Sequence, residues 1–294
     1  MVNVVLGILG LFAAAFAVVF GKDLATNKDK LEPQTSFAKS TGIGFIVNFF
    51  DTLGIGSFAP TTALLRAFKQ VEDRFIPGTL NVSCTIPVIL EAFLFITSVK
   101  VEIITLVCML AAAVIGAIIG AGIVSKLPEK TIQLIMGIAL LATAFLMLAQ
   151  QSGWIAGLGT GTAIGLSGGK LIIAIVGNFI LGALMTAGIG LYAPCMALVY
   201  MLGMSPKVAF PIMMGSCAFL MPAASIRFVK EQAYNKKASL GITIGGIIGV
   251  LIAVYLVTSL PLDILTWLII IVVTYTSITL LKAAIKSGEN IENN

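Results

Sequence analysis

The chain has no histidine and very little charge: only 11% of its 294 residues are Asp, Glu, Lys or Arg. Without histidine, the commonest metal ligand and physiological acid-base group is missing. The four cysteines, Cys84, Cys108, Cys195 and Cys217, all lie in apolar runs and none form a CxxC pair. That spacing excludes the usual zinc, haem and disulfide frameworks. There is no cluster of carboxylates and no nucleotide-binding motif, so neither a membrane enzyme nor an ATP-driven pump is supported. No cofactor and no metal site is expected.

What remains is apolar. Hydrophobic residues make up 59% of the chain and the mean hydropathy is +1.08, which defines a polytopic membrane protein. At about 20 residues per span the chain holds roughly seven to nine spans, with no room for a soluble domain. The net charge of +5 is not a nucleic-acid signature, because the basic residues sit between apolar runs and act as topology signals.

One stretch occurs twice. Gly54-Ile55-Gly56-Ser57-Phe58-Ala59-Pro60 and Gly188-Ile189-Gly190-Leu191-Tyr192-Ala193-Pro194 are offset by 134, and the same offset pairs Ala63 with Ala197, Leu64 with Leu198 and Pro77 with Pro211. This is an internal duplication. Paired glycines end a helix and permit positive φ. Proline is tolerated in a first helical turn, so new half-helices are expected to start near Ser57 and Leu191. Their open amides suit an anion. Close helix packing by small residues is the competing explanation.

The chain therefore divides into a first span at 1–21, a first repeat at 22–151 with a broken segment at 41–66, a second repeat at 152–281 with a broken segment at 171–203, and a polar tail at 282–294. The first span has no basic residue ahead of it and is read as retained rather than as a cleaved signal. Residues 152–169 hold seven glycines and are read as a loop at the membrane face. If each broken segment enters and leaves by one face, all but three of the 18 basic residues fall on that chain's cytoplasmic side, the exceptions being Lys100, Lys170 and Lys207. Nine simple crossings give a much weaker bias, so the re-entrant arrangement fits the positive-inside rule better. It also makes the repeats inverted copies, with the N-terminus outside and the C-terminus cytoplasmic. The expected fold is all-α: two inverted repeats, about seven transmembrane helices and two re-entrant segments, a plan that secondary transporters use around a midplane site.

Candidate site residues follow from this plan. Gly54, Ile55, Gly56, Ser57, Gly188, Ile189 and Gly190 would offer backbone amides. Ser83-Cys84 and Ser216-Cys217, offset by 133 and followed by Pro87 and Pro222, would add small donors beside kinked helices. Glu91, deep in an apolar span, and Asp51, just before Gly54, are costly as bare carboxylates in hydrocarbon. They are candidates for proton or cation coupling, set against a hydrogen-bonded protonated acid for Glu91 and a cap for Asp51. Phe58 and Tyr192 fit either a site lining or a lipid face.

The doubled Gly-Ile-Gly followed by a small residue and proline, in a chain under 300 residues, resembles the TauE/SafE family of membrane permeases over residues 41–281. In that family the motif usually reads Gly-x-Gly-Gly; here Ser57 and Leu191 follow the second glycine. The resemblance implies a secondary transporter in a bacterial or archaeal cell membrane that moves sulfite or an organosulfonate. Its partners would be the anion, the bilayer and a coupling proton or sodium ion, with homo-oligomers left open. The other readings are a carboxylate or cation carrier and a non-transporting assembly subunit.

Overall fold

The computed structural model describes residues 2–53, 55–95, 101–158, 161–256 and 262–292. Gly54, Lys100 and the expected turn at 259–261 lie outside them. Among the described residues every regular element is helical, and the one β-type contact is an isolated bridge between Ala163 and Met204. Among the described residues seven helices are counted as long and apolar enough to cross a membrane. They are α1 (Val2–Thr26), α4 (Ile76–Phe95), α5 (Ile103–Val124), α6 (Glu129–Gln151), α8 (Gly168–Met185), α10 (Pro206–Lys230) and α11 (Lys236–Leu256).

The remaining helices complete two matching sets. In the first, α2 (Phe37–Thr52) and α3 (Phe58–Ala67) form a hairpin ahead of α4, α5 and α6. In the second, α8 and α9 (Tyr192–Met201) form a hairpin ahead of α10, α11 and α12 (Leu262–Glu292). Each hairpin has a long outgoing arm, 16 or 18 residues, and a return arm of 10. At 1.5 Å per residue these reach roughly 25 Å in and roughly 15 Å back. Between the sets, α7 (Trp154–Leu158) and its flanking coil form a loop, too short to span. The last helix does not stop at Leu281 but continues through Glu292, so most of the polar tail is helical.

The faces of the bundle are fixed by polar contacts at helix ends. On one face, Asp23 at the end of α1 accepts from Gln232 (2.6 Å) and Tyr234 (2.5 Å) in the α10–α11 turn. Burial, followed by the Asp23 carboxylate, pushes the Tyr234 phenol above its ordinary range, which keeps it a donor. Beside it Glu32 accepts from the Lys236 amide, Thr35 accepts from Asn235, and Arg66 pairs with Asp73 at 2.8 Å. On the opposite face the Glu102 amide donates to Ile164, Lys170 donates to Leu202, and the Ser205 amide donates to Ala163. Thus α2 and α3 start and end on the first face, α8 and α9 on the second. The two hairpins are inverted with respect to each other.

Packing carries the same symmetry. Each hairpin's long arm lies against the fourth helix of the other set: α2 beside α11, and α8 beside α5. Both pairs run parallel and are brought together by glycine. A Cβ at Gly245 would stand 2.0 Å from the Thr41 carbonyl oxygen, and one at Gly116 would stand 2.0 Å from that of Phe179. Backbones this close replace side-chain contacts, as in membrane helices that associate through small residues. The glycines that serve helix packing are therefore these, in the middle of unbroken helices. At the centre α4 meets α10 through a 2.8 Å hydrogen bond between Thr85 and Ser225, and α6 meets α12 through Ser277 on the Gly137 carbonyl.

Replacing Gly245 or Gly116 with leucine should separate these pairs. Overpacking of this kind costs about 1–3 kcal/mol, so either variant should unfold in detergent at a clearly lower temperature than the wild type.

Candidate functional site

At the first tip, α2 ends at Thr52, and the Leu53 and Ile55 amides both turn back to the Phe50 carbonyl. Gly56 then takes φ +89°, and α3 starts at Phe58 with Ser57 as its N-cap residue. At the second tip Gly188 takes φ +100° and its amide bonds to Met185, while Ile189 turns back to Leu184. The return helix α9 starts at Tyr192 after Leu191. Both half-helices begin where the glycine-proline spacing predicts. Left-handed φ, which favours glycine, falls on Gly56 and on Gly188.

The two starts face one narrow cavity of about 50 Å³, far below the few hundred Å³ of drug-sized pockets. From the first hairpin it is lined by Asp51 and Ile55 to Ala59, and from the second by Met185 and Gly190 to Ala193. Helix α4 adds Val88, α10 adds Cys217, and α6 adds Thr143, Met147 and Gln150. The first-turn amides of Phe58, Ala59, Tyr192 and Ala193 have no intrahelical acceptor, and Pro60 and Pro194 remove the next amide of each turn. Among the described residues no lysine or arginine lines this space.

The acids gather at the first tip. Asp51, 2% exposed, accepts a 2.8 Å hydrogen bond from Ser57 Oγ. Glu91 is wholly buried, and its Oε1 accepts from Thr52 Oγ1 at 2.9 Å. Glu91 Oε2 and Tyr192 Oη are both buried without a hydrogen-bond partner, and the two groups lie within interaction range of each other and of Asp51. At equivalent positions the second repeat has Met185 for Asp51, Leu191 for Ser57 and Ala224 for Glu91. The site is built by symmetry but its chemistry is one-sided.

Other expected residues sit elsewhere. Ser216 accepts from Asn178 at 2.8 Å, joining α10 to α8, and Ser83 Oγ turns to the Leu80 carbonyl. Cys84 is fully buried beside Ser83, and neither lines the cavity. Gly188 packs on Met136 and Leu80, so it shapes the tip from behind. Ile189 is likewise absent from the lining, and Gly54 lies outside the described residues. The α6 contribution was missed, although Thr143, Met147 and Gln150 share one helical face by their spacing.

A second, larger cleft of about 980 Å³ opens at the face carrying Arg66, between α3, α12 and the loops around Glu32 and Gln70. It shares no lining residue with the cavity, and Arg66, bonded to Asp73 and to Thr279 (2.6 Å), stands on its wall. The cavity instead extends along the far half of α6 towards exposed Gln150.

Two inverted hairpins whose tips meet at one narrow cavity define a polytopic membrane protein built on inverted repeats. The chain belongs to the sulfite exporter TauE/SafE family, whose family model matches residues 1–147 and 170–293. Family membership makes it a membrane transporter of sulfite or related anions. The unmatched stretch between the two parts, 148–169, runs from the end of α6 through α7 to the start of α8. No curated protein matches the chain, and no solved structure matches it.

Gly190 and Gly188 separate amide access from fold. A methyl group at Gly190 meets nothing within 4 Å and needs no unusual φ, whereas one at Gly188 is strained at φ +100° and presses on Met136. Gly190→Ala should keep the wild-type melting temperature and weaken anion binding. Gly188→Ala should lower the melting temperature by an amount corresponding to about 1 kcal/mol or more, read by thermal unfolding in detergent.

Proposed function

We propose that the protein carries a small oxyanion, sulfite or an organosulfonate, held between the two hairpin tips and exchanged between faces by alternating access. The observation that supports this most is the convergence of two half-helix N-termini on one narrow cavity. Open amides and the positive ends of helix dipoles stabilise negative charge without a cation, and they do so most strongly where water is excluded. A compact anion suits the small volume.

The access routes support movement of one repeat against the other. The cavity runs towards the Gln150 end of α6, and the large cleft approaches from the opposite face beside α3 and α12. By inverted symmetry α6 packs on α9 as α12 packs on α3. Rocking that closes one approach opens its counterpart. Arg66, bonded to Asp73 and Thr279, stands on the wall of the second approach.

The face rich in lysine and arginine is read as cytoplasmic. This puts the start of α1 outside and the end of α12 inside the cell membrane. A cation carrier is the second reading, favoured by Asp51, Glu91 and the sulfur atoms of Met147, Met185 and Cys217 around the cavity.

Two experiments test the reading. Sulfite or isethionate, added to the purified protein at about 100 times its dissociation constant, should stabilise the fold by about 2.7 kcal/mol, and Gly190→Ala should reduce that gain. Stabilisation by a soft monovalent cation and by no anion would favour the second reading. In intact cells a cysteine replacing exposed Lys170 should react with an impermeant thiol reagent and one replacing exposed Lys30 should not; the reverse pattern would invert the orientation.

A further inference from the structure

The two tips are not equivalent, and the difference points to a division of labour. At the first tip the protein supplies its own carboxylate: Asp51 holds the Ser57 hydroxyl at the start of α3. The second tip has Met185 and Leu191 in those places, so the start of α9 is left open towards the cavity. A second carboxyl group, Glu91 of α4, stands behind the cavity lining. One oxygen is tied to Thr52 of the first hairpin, the other is fully buried without a hydrogen-bond partner, and the Tyr192 hydroxyl on the first residue of α9 lies within interaction range of the group.

The groups around this pair leave its charge uncompensated. Facing it are Ser57 and Thr52 from the first hairpin, Tyr192 from α9, Cys84 from α4 and Cys217 from α10. The neighbouring α11 offers Thr243, which donates to the Ser83 carbonyl, and closely packed glycines. Among the described residues no basic side chain reaches the pair. Two ionised carboxylates at this depth repel each other, and an anion bound at the start of α9 would be a third negative charge in the same low-dielectric space.

Resting on the anion-carrier reading, we propose that the anion binds at the α9 tip and that Asp51 and Glu91 form a proton-carrying pair, so that each monoanion crosses with a proton. The step is a simple protonation. A carboxylate takes a proton from the side the site faces, the anion enters next to the now neutral acid, and both leave on the other side, where the acid ionises again. Tyr192 couples the two events, because it is both the first residue of the anion-binding helix and the neighbour of Glu91. A sodium ion would need several oxygen ligands pointing at it. Here the Thr52 hydroxyl has a single proton and two acceptors within reach, the Asn48 carbonyl oxygen at 2.8 Å and Glu91 Oε1 at 2.9 Å, an arrangement that a proton on Glu91 completes.

Two measurements on the full-length protein separate this proposal from the cargo assignment. Infrared spectra without any anion should show the C=O stretch of a protonated carboxylic acid at neutral pH, lost in Glu91→Gln; its absence from the wild type would overturn the proton site whatever the cargo. In reconstituted vesicles, isethionate, a sulfonate that stays ionised over the working range, should accumulate about tenfold per unit of pH gradient with one proton per anion. Glu91→Gln should lose that accumulation, Glu91→Asp, which keeps a carboxyl group, should retain part of it, and Tyr192→Phe should slow gradient-driven uptake. Accumulation driven by sodium alone, or unaltered accumulation by Glu91→Gln, would overturn the proposal. An infrared band without isethionate counterflow in the wild type would support the proton site and reject the sulfonate as cargo.

Discussion

A backbone N–H in hydrocarbon must have an acceptor, and this requirement organises the molecule. An unbroken helix meets it internally, which is why most of the chain is long apolar helix. The two breaks at Gly-Ile-Gly expose amides at the depth where that cost is highest. They are tolerated because each tip is enclosed by the other repeat and because the tips face a shared cavity. The long arms can lie so deep only because glycines on α5 and α11 allow backbone-to-backbone contact. Fold and site therefore depend on the same enclosure.

Duplication supplies the frame, and divergence within it supplies the chemistry. Each repeat provides a hairpin, a proline-bearing central helix and a glycine-bearing helix that holds the other repeat's hairpin. Against that symmetry, Asp51, Ser57 and Glu91 stand opposite Met185, Leu191 and Ala224. Acidic groups gather at one tip, and at the other the start of α9 faces the cavity without one.

Much of the architecture was legible in the sequence because it rests on local physics. Hydropathy marked the spans, and glycine with proline marked the half-helix starts at Phe58 and Tyr192. The distribution of lysine and arginine indicated that both breaks re-enter. Less of the site was legible. Ser83 and Ser216 looked like ligands because they repeat, yet Ser83 bonds within its own helix and Ser216 joins helices. Thr143, Met147 and Gln150 line the cavity from α6 because the return arm of the other repeat packs there, a tertiary exchange that no local pattern encodes. The helical continuation of α12 past Leu281 also escaped a reading based on hydropathy, since polar composition does not by itself end a helix.

The central claim is that an oxyanion sits between the hairpin tips, at the start of α9. Locating a heavier analogue tests it directly: selenite, found by its anomalous scattering in crystals of the protein. The account predicts a peak within hydrogen-bonding distance of the first-turn amides of α9, next to Gly190 and Tyr192. A peak confined to the cleft beside Arg66, with nothing between the tips, would contradict it.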